Sequence, residues 1–229
     1  MIIFSLLALL YGGGALFIRE LVRLTGRGWP TIFCLALAYG LIEEGFVIQT
    51  LFNPNYLGIG LLNYGFIPSL GIGSFWTVYV LSIHVFWSIS IPIAMTEALF
   101  WRHRTTPWLG RFGFTMYAIL SFLGSVIMGL SVLYEYQFVA SAKQLIISAI
   151  LINIFVVLGF TLFHEDKKMS IYNHPKSINK LAPNPWLLGL FVLILGSIFF
   201  LLSNISYFSS LLSAGILVII LLLLGWISN

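Results

Sequence analysis

The apolar residues of this sequence are gathered into seven blocks, each near 20 residues long. An α-helix rises about 1.5 Å per residue, so a block of that length can cross the roughly 30 Å hydrocarbon core of a bilayer. The blocks show no sustained alternation of apolar and polar residues, which a transmembrane β-barrel requires. We therefore predict an all-α, polytopic transmembrane helical bundle, a single integral membrane domain over residues 1–229. The predicted spans are Ile2 to Ile18, Trp29 to Phe52, Phe75 to Phe100, Phe112 to Leu133, Leu145 to Phe163, Trp186 to Ser203 and Leu211 to Ile227.

The composition supports the same class of protein. Hydrophobic residues make up 60% of the chain, charged residues make up 8%, and the mean hydropathy is +1.04. A soluble domain carries about 25% charged residues, so a water-soluble fold is excluded. The single cysteine, Cys34, lies inside an apolar block and excludes both a disulfide framework and a cysteine-based zinc site.

The basic residues of the connections predict the orientation of the bundle, because Lys and Arg are retained on the cytoplasmic side. The odd-numbered connections carry nearly all of them, whereas the second and sixth carry no charge. We therefore expect a multi-pass protein of the cell membrane, with its N-terminus outside and its C-terminus in the cytoplasm. This topology explains the net charge of +4 without a nucleic-acid partner, since the basic residues form no continuous stripe.

The second connection, from Asn53 to Ser74, is uncharged and rich in glycine and apolar residues. Such a segment either dips into the bilayer or lies on the headgroups outside. Irregular backbone exposed to lipid is excluded from the hydrocarbon, which favours the external loop.

Several polar residues lie deep inside the predicted spans. Glu43 and Glu44 are consecutive, and an ionisable residue at the bilayer centre costs about 2.5 to 3.5 kcal/mol on insertion scales. At 1.5 Å per residue, both lie roughly 12 Å below the outer surface, and His84 and Asn153 on two other helices fall at roughly the same depth. Ser125 on a fourth helix lies near this level too. We predict that this layer is functional, with Glu43, Glu44, His84 and Asn153 as candidate catalytic residues.

Two further expectations concern this layer. Consecutive residues on an α-helix point about 100° apart, so Glu43 and Glu44 are not expected to face one centre equally, and one of them is expected to be structural. Each polar residue taken alone can also simply hold neighbouring helices together by hydrogen bonds.

Glu97 lies near the inner end of the third span, outside this layer. It is expected to pair with Arg102 or with the arginines of the first connection in a structural role, and Arg19 and Glu20 are interpreted in the same way.

The order of these residues resembles the CPBP intramembrane proteases, which include the CAAX-processing endopeptidases. Their pattern is a Glu-Glu pair in one helix, a His in a later helix and an Asn or Asp in another. Glu43-Glu44, His84 and Asn153 match it over residues 40 to 155.

The sequence also departs from the family pattern at three positions. Ile48 stands where the family has Arg, Val80 where it has Phe, and Ala149 where it has a second His. The resemblance implies that a glutamate activates water while His84 and Asn153 stabilise the oxyanion of a peptide carbonyl. Because the second His is missing, the resemblance is compatible with an active peptidase and with an inactive homologue of one.

Two other classes of function remain open. Glutamates with a histidine and an amide in a cavity also make a proton relay or cation site in a carrier of small solutes. Alternatively, the polar layer holds together a non-catalytic membrane scaffold. We expect the lipid bilayer as a partner in every case, and a membrane-inserted peptide or a small solute as the substrate. No cofactor or metal is expected, since one His and carboxylates match the usual zinc ligands poorly.

Overall fold

The computed structural model describes residues 7–162 and 185–202. The chain divides into two compact units, Met1–Glu165 and Asp166–Asn229, and each is considered by itself. The described part of the chain is mostly helical. Its α-helices are α1 (Gly13–Leu24), α2 (Trp29–Ile42), α3 (Ser74–Ser82), α4 (Ile91–Leu99), α5 (Arg111–Tyr136) and α6 (Ala142–Thr161) in the first unit, and α7 (Pro185–Leu202) in the second.

Three π-helical segments, in which the turns are wider, adjoin these α-helices. The segment Ala8–Gly12 leads into α1, Glu43–Val47 extends α2, and Ile83–Ser90 joins α3 to α4 without a break. Short 3₁₀ turns lie at Tyr56–Gly58 and Trp101–His103. A small antiparallel hairpin pairs β1 (Phe66–Ile67) with β2 (Ile72–Gly73).

Among the described residues, four helices are long and apolar enough to cross a membrane. They are Trp29–Val47, Ser74–Leu99, Arg111–Tyr136 and Ala142–Thr161, which correspond to the second to fifth predicted spans. Helix α7 coincides with the sixth predicted span, and the seventh, Leu211 to Ile227, lies outside the described residues. The count of seven and the orientation of the termini stay predictions.

Local sequence signals explain where several helices begin and end. Pro30 occupies the first turn of α2, where its missing N–H leaves no hydrogen bond unmade. Helix α6 begins with a capping box, in which the Ser141 hydroxyl accepts from the Gln144 N–H and the Gln144 side chain accepts from the Ser141 N–H. Helix α5 ends at Tyr136, and its C-cap is Gln137, whose φ of 49° is left-handed.

Helix α2 lies at the centre of the first unit. It packs closely against α6, where a Cβ added at Gly159 would lie 3.1 Å from the Cys34 Cβ. The Thr31 hydroxyl donates to the Gly159 carbonyl at 2.9 Å across the same contact. Small residues thus bring the two backbones together, as is common between membrane helices. Buried apolar side chains on both sides of α2 complete the core: Ile18, Val22, Ile32, Ala36, Ile89 and Ile93 on one side, and Leu41, Leu51, Phe52 and Val80 on the other.

A network of buried charges ties α1 to α4. Arg23 makes two hydrogen bonds to the Glu97 carboxylate, at 2.9 and 2.8 Å, and the Arg19 Nε lies 3.1 Å from the same group. Arg19 also pairs with Glu20, whose other oxygen accepts from the backbone N–H groups of Trp108 and Leu109 at 2.8 Å. The predicted pairing of Glu97 with arginines of the first connection is therefore confirmed.

Candidate functional site

Glu43 and Glu44 lie on the π-helical turn that extends α2. Both are buried, with 0% and 4% of their surface exposed. The wider turn is marked by the Ile48 N–H, which donates to the Glu43 carbonyl five residues earlier at 2.7 Å. π-helical turns inside α-helices are rare and frequently mark functional sites.

His84 also lies on a π-helical segment, and it packs directly against α2. Its side chain is 2% exposed. Gly40 makes this close approach possible, because a Cβ added there would lie 2.9 Å from the His84 Cβ.

Both glutamates contact the same imidazole, and we call these three residues the Glu–His–Glu triad. The His84 Nε2 lies 2.8 Å from the Glu44 Oε1, within hydrogen-bond geometry. The His84 Nδ1 lies 3.2 Å from the Glu43 Oε2, but neither atom of this second pair makes a hydrogen bond. Both glutamates therefore reach one centre, but not equally, since only Glu44 makes a hydrogen bond to the ring. The turn is π-helical rather than α-helical, and the imidazole presents its two nitrogens on different edges of the ring.

Two groups of polar side chains surround the triad. On one side, the Tyr39 hydroxyl lies 2.6 Å from the Glu43 Oε1 and 2.7 Å from the Leu10 carbonyl oxygen. On the other, the Thr50 hydroxyl donates to the Glu44 Oε2 and accepts from the Trp76 indole N–H at 3.0 Å. The Tyr11 ring stacks on the His84 ring, with centroids 5.7 Å apart. Every oxygen of the two carboxylates therefore faces a polar group.

Asn153 is not part of this site. Its side chain is exposed and donates to the Ala149 carbonyl of its own helix at 2.8 Å. The face of α6 that meets the π-helical turn carries Ser148, whose Oγ would lie 3.2 Å from a Cβ added at Gly45. Five residues along an α-helix turn the side chain by about 140°, so Asn153 points away from the triad although its depth matches. Ser125 likewise donates to its own helix, at the Ser121 carbonyl.

Residues that the sequence did not single out complete the site. Tyr39 precedes Glu43 by four residues, a spacing that places both on one helix face and could have identified it. Neither Thr50 nor Trp76 has a sequence spacing from the glutamates that would have identified it. The chain turns at Gln49, with a φ of 60°, and this turn returns Thr50 to Glu44.

The three side chains of the triad are all groups that can hold a proton. In the described residues, no group of three His, Cys, Asp or Glu side chains is arranged to hold a metal ion. Each carboxylate of the triad lies within 3.2 Å of a ring nitrogen of His84.

Long apolar helices and a fully buried group of ionisable side chains are the features of a helical membrane protein. The chain belongs to an uncharacterized membrane protein family, which it matches over residues 1–228. This match supports membrane localisation and does not extend to the CPBP proteases. No curated protein matches the sequence, and no solved structure matches it.

Proposed function

We propose that this chain is a proton-coupled carrier of small solutes in the cell membrane, in which the Glu–His–Glu triad binds and releases the proton. The proposal includes seven spans, with the N-terminus outside and the C-terminus in the cytoplasm. The observation that carries it is the position of His84 between two buried carboxylates, at 2.8 and 3.2 Å. Ionisable residues in a membrane commonly form proton relays in transporters.

The contacts of the Tyr39 hydroxyl also support a proton-binding role for Glu43. Its hydroxyl has one proton but lies within 2.7 Å of two oxygens, the Leu10 carbonyl and the Glu43 Oε1. Both contacts are satisfied when Tyr39 donates to the carbonyl and a protonated Glu43 donates to Tyr39. The surroundings of Glu43 therefore suit a carboxyl group that holds a proton.

A peptidase is the second candidate, favoured by the contact of Glu43 and Glu44 with His84, because these three residues carry most of the resemblance to the CPBP proteases. Against it, both ring nitrogens of His84 face carboxylates, and Asn153 points away from them. A peptidase needs hydrogen-bond donors aimed at the oxyanion, and the resemblance assigns that role to His84 and Asn153. The proton carrier is therefore the better supported function.

The test is proton movement into liposomes that contain the purified protein and a trapped pH-sensitive dye. With a mixture of small solutes supplied outside, we expect the wild type to dissipate an imposed pH gradient faster than empty liposomes, and Glu44→Gln and His84→Gln to lose this activity. Glu135→Gln is the matched control, because Glu135 is an exposed carboxylate at the end of α5. Equal rates for the wild type and Glu44→Gln would contradict the proposal.

The same preparations separate the two remaining functions. A peptidase would cleave membrane-inserted peptides and lose activity in Asn153→Ala, a variant that should leave proton movement unchanged. A scaffold would show neither activity, and the triad variants would differ from the wild type only in thermal stability.

A further inference from the structure

The segment 53–74 is folded and exposes a group of apolar side chains. Its strands pair Phe66 with Gly73 and Ile67 with Ile72, and the Ser74 N–H donates to the Gly65 carbonyl at 2.9 Å. Leu57, Ile59, Tyr64, Phe66 and Leu70 are 62%, 63%, 43%, 51% and 38% exposed. Exposed apolar groups of this kind mark sites of interaction with a protein or a membrane.

The chemistry of the segment favours lipid over water. No residue between positions 53 and 74 is charged. Leu57 has a φ of 53°, a left-handed conformation that costs a bulky side chain energy and that Gly or Asn adopt more readily. In water, a leucine whose side chain is exposed gains no burial energy that would offset the cost of this conformation. Contact with an apolar medium would offset the cost.

The contacts of the segment place it beside membrane-spanning helices. The Thr50–Trp76 hydrogen bond joins the two ends that lead into and out of it. The hairpin turn accepts hydrogen bonds from the start of α6, where the Lys143 ammonium donates to the Ser69 carbonyl at 3.0 Å. A lysine at the end of a membrane helix lies at the headgroup level, so the hairpin lies at that level too.

We propose that the segment 53–74 inserts its exposed apolar side chains into the lipid at the headgroup boundary. The occupant of this surface is the bilayer that already surrounds the neighbouring helices. The segment does not reach the hydrocarbon centre, because its short strands leave backbone groups that need water or headgroups as partners. Interfacial elements of this kind bury their apolar side chains about 5 to 10 Å deep.

Site-directed spin labelling of the full chain in phosphatidylcholine liposomes tests this proposal. Single cysteines at Leu57, Ile59 and Phe66, in a Cys34→Ser background, each carry a nitroxide whose collisions with oxygen and with a water-soluble nickel chelate are measured. Two reference positions calibrate the readout: Phe122, which is exposed on the membrane-spanning helix α5, and Thr105, which is exposed in the connection before it.

We expect the three labels to collide more with oxygen than with nickel, as the label at Phe122 does. A ratio like that at Thr105 would mean a loop in water and would overturn the proposal. Low collision rates with both reagents would mean that a protein, such as a second copy of the chain, covers the surface, and this result would overturn it as well. Because the labelled side chains are exposed, their replacement is not expected to disturb the core.

Discussion

The geometry of the triad depends on single residues that allow its helices to approach. Gly40 is the clearest case, since any side chain there would meet His84. Tyr39 has a different role, because its hydroxyl joins the Glu43 carboxylate to the Leu10 carbonyl and so connects the π-helical turn of α2 to the segment before α1.

Gly40→Ala should therefore destabilise the protein and separate His84 from Glu44. The added Cβ would lie 2.9 Å from the His84 Cβ, and overpacking of this kind costs about 1 to 3 kcal/mol. Thermal unfolding in detergent measures the loss. Gly113→Ala in α5 is the matched control, since its added Cβ would come no closer than 3.5 Å to a neighbour, and it should be neutral or slightly stabilising. Equal effects of the two substitutions would contradict this account.

Tyr39→Phe should lower stability by about 1 to 3 kcal/mol, because it removes the hydroxyl that contacts both the buried Glu43 carboxylate and the Leu10 carbonyl. The measurement is again thermal unfolding in detergent, with Tyr134→Phe as the control, since Tyr134 is 84% exposed. An unchanged melting temperature in Tyr39→Phe would show that the hydroxyl makes no significant bond.

At this scale the sequence identified the triad but not its surroundings. Glu43, Glu44 and His84 were found because an ionisable group inside a membrane is costly and needs a reason. Asn153 was assigned to the same site from depth alone, and depth says nothing about which face of a helix a residue occupies. Thr50 was missed because the turn at Gln49 breaks the helical periodicity on which such predictions depend.

Among the helices and connections, the buried charges between α1 and α4 form a structural link separate from the triad. Arg19, Glu20, Arg23 and Glu97 have a net formal charge of zero and are almost fully buried, and the loop carbonyls of His103, Arg104 and Thr106 accept from Arg19. Such a network stabilises a fold only while it is complete, because removing one member leaves an unpaired buried charge.

Glu97→Gln should therefore be strongly destabilising, by about 3 to 5 kcal/mol, because it leaves Arg23 without its counter-charge and Arg19 with Glu20 alone. Glu135→Gln, an exposed substitution of the same kind, should have little effect. A double variant with Arg23→Gln should be less destabilised than the sum of the single variants. Strict additivity would show that the two residues do not interact.

The helices themselves were largely predictable, because span length and hydropathy define them. The second to fifth predicted spans all correspond to helices that could cross a membrane. Their π-helical turns were not predictable, since a π-helical turn leaves the apolar pattern almost unchanged. The hairpin in the second connection was also missed, because strands of two residues are too short to show alternation.

For the whole molecule, the proposed orientation places the third connection in the cytoplasm and the fourth outside. Cysteines at Thr105 and Val139, both exposed, test it in a Cys34→Ser background with a membrane-impermeant maleimide applied to intact cells. We expect labelling of Val139→Cys in intact cells and of Thr105→Cys only after permeabilisation. The opposite pattern would invert the orientation, and labelling of both from outside would contradict the proposed topology.

The proposed function requires the Glu–His–Glu triad to bind and release a proton inside the membrane-spanning helices. Infrared difference spectroscopy measures this protonation through the carbonyl band of protonated carboxyl groups as the pH is varied. The account predicts a band that changes with pH in the wild type and in Glu135→Gln, and that is lost or shifted in both Glu43→Gln and Glu44→Gln. A wild-type spectrum with no pH-dependent carboxyl band, or one that both triad substitutions leave unchanged, would contradict it.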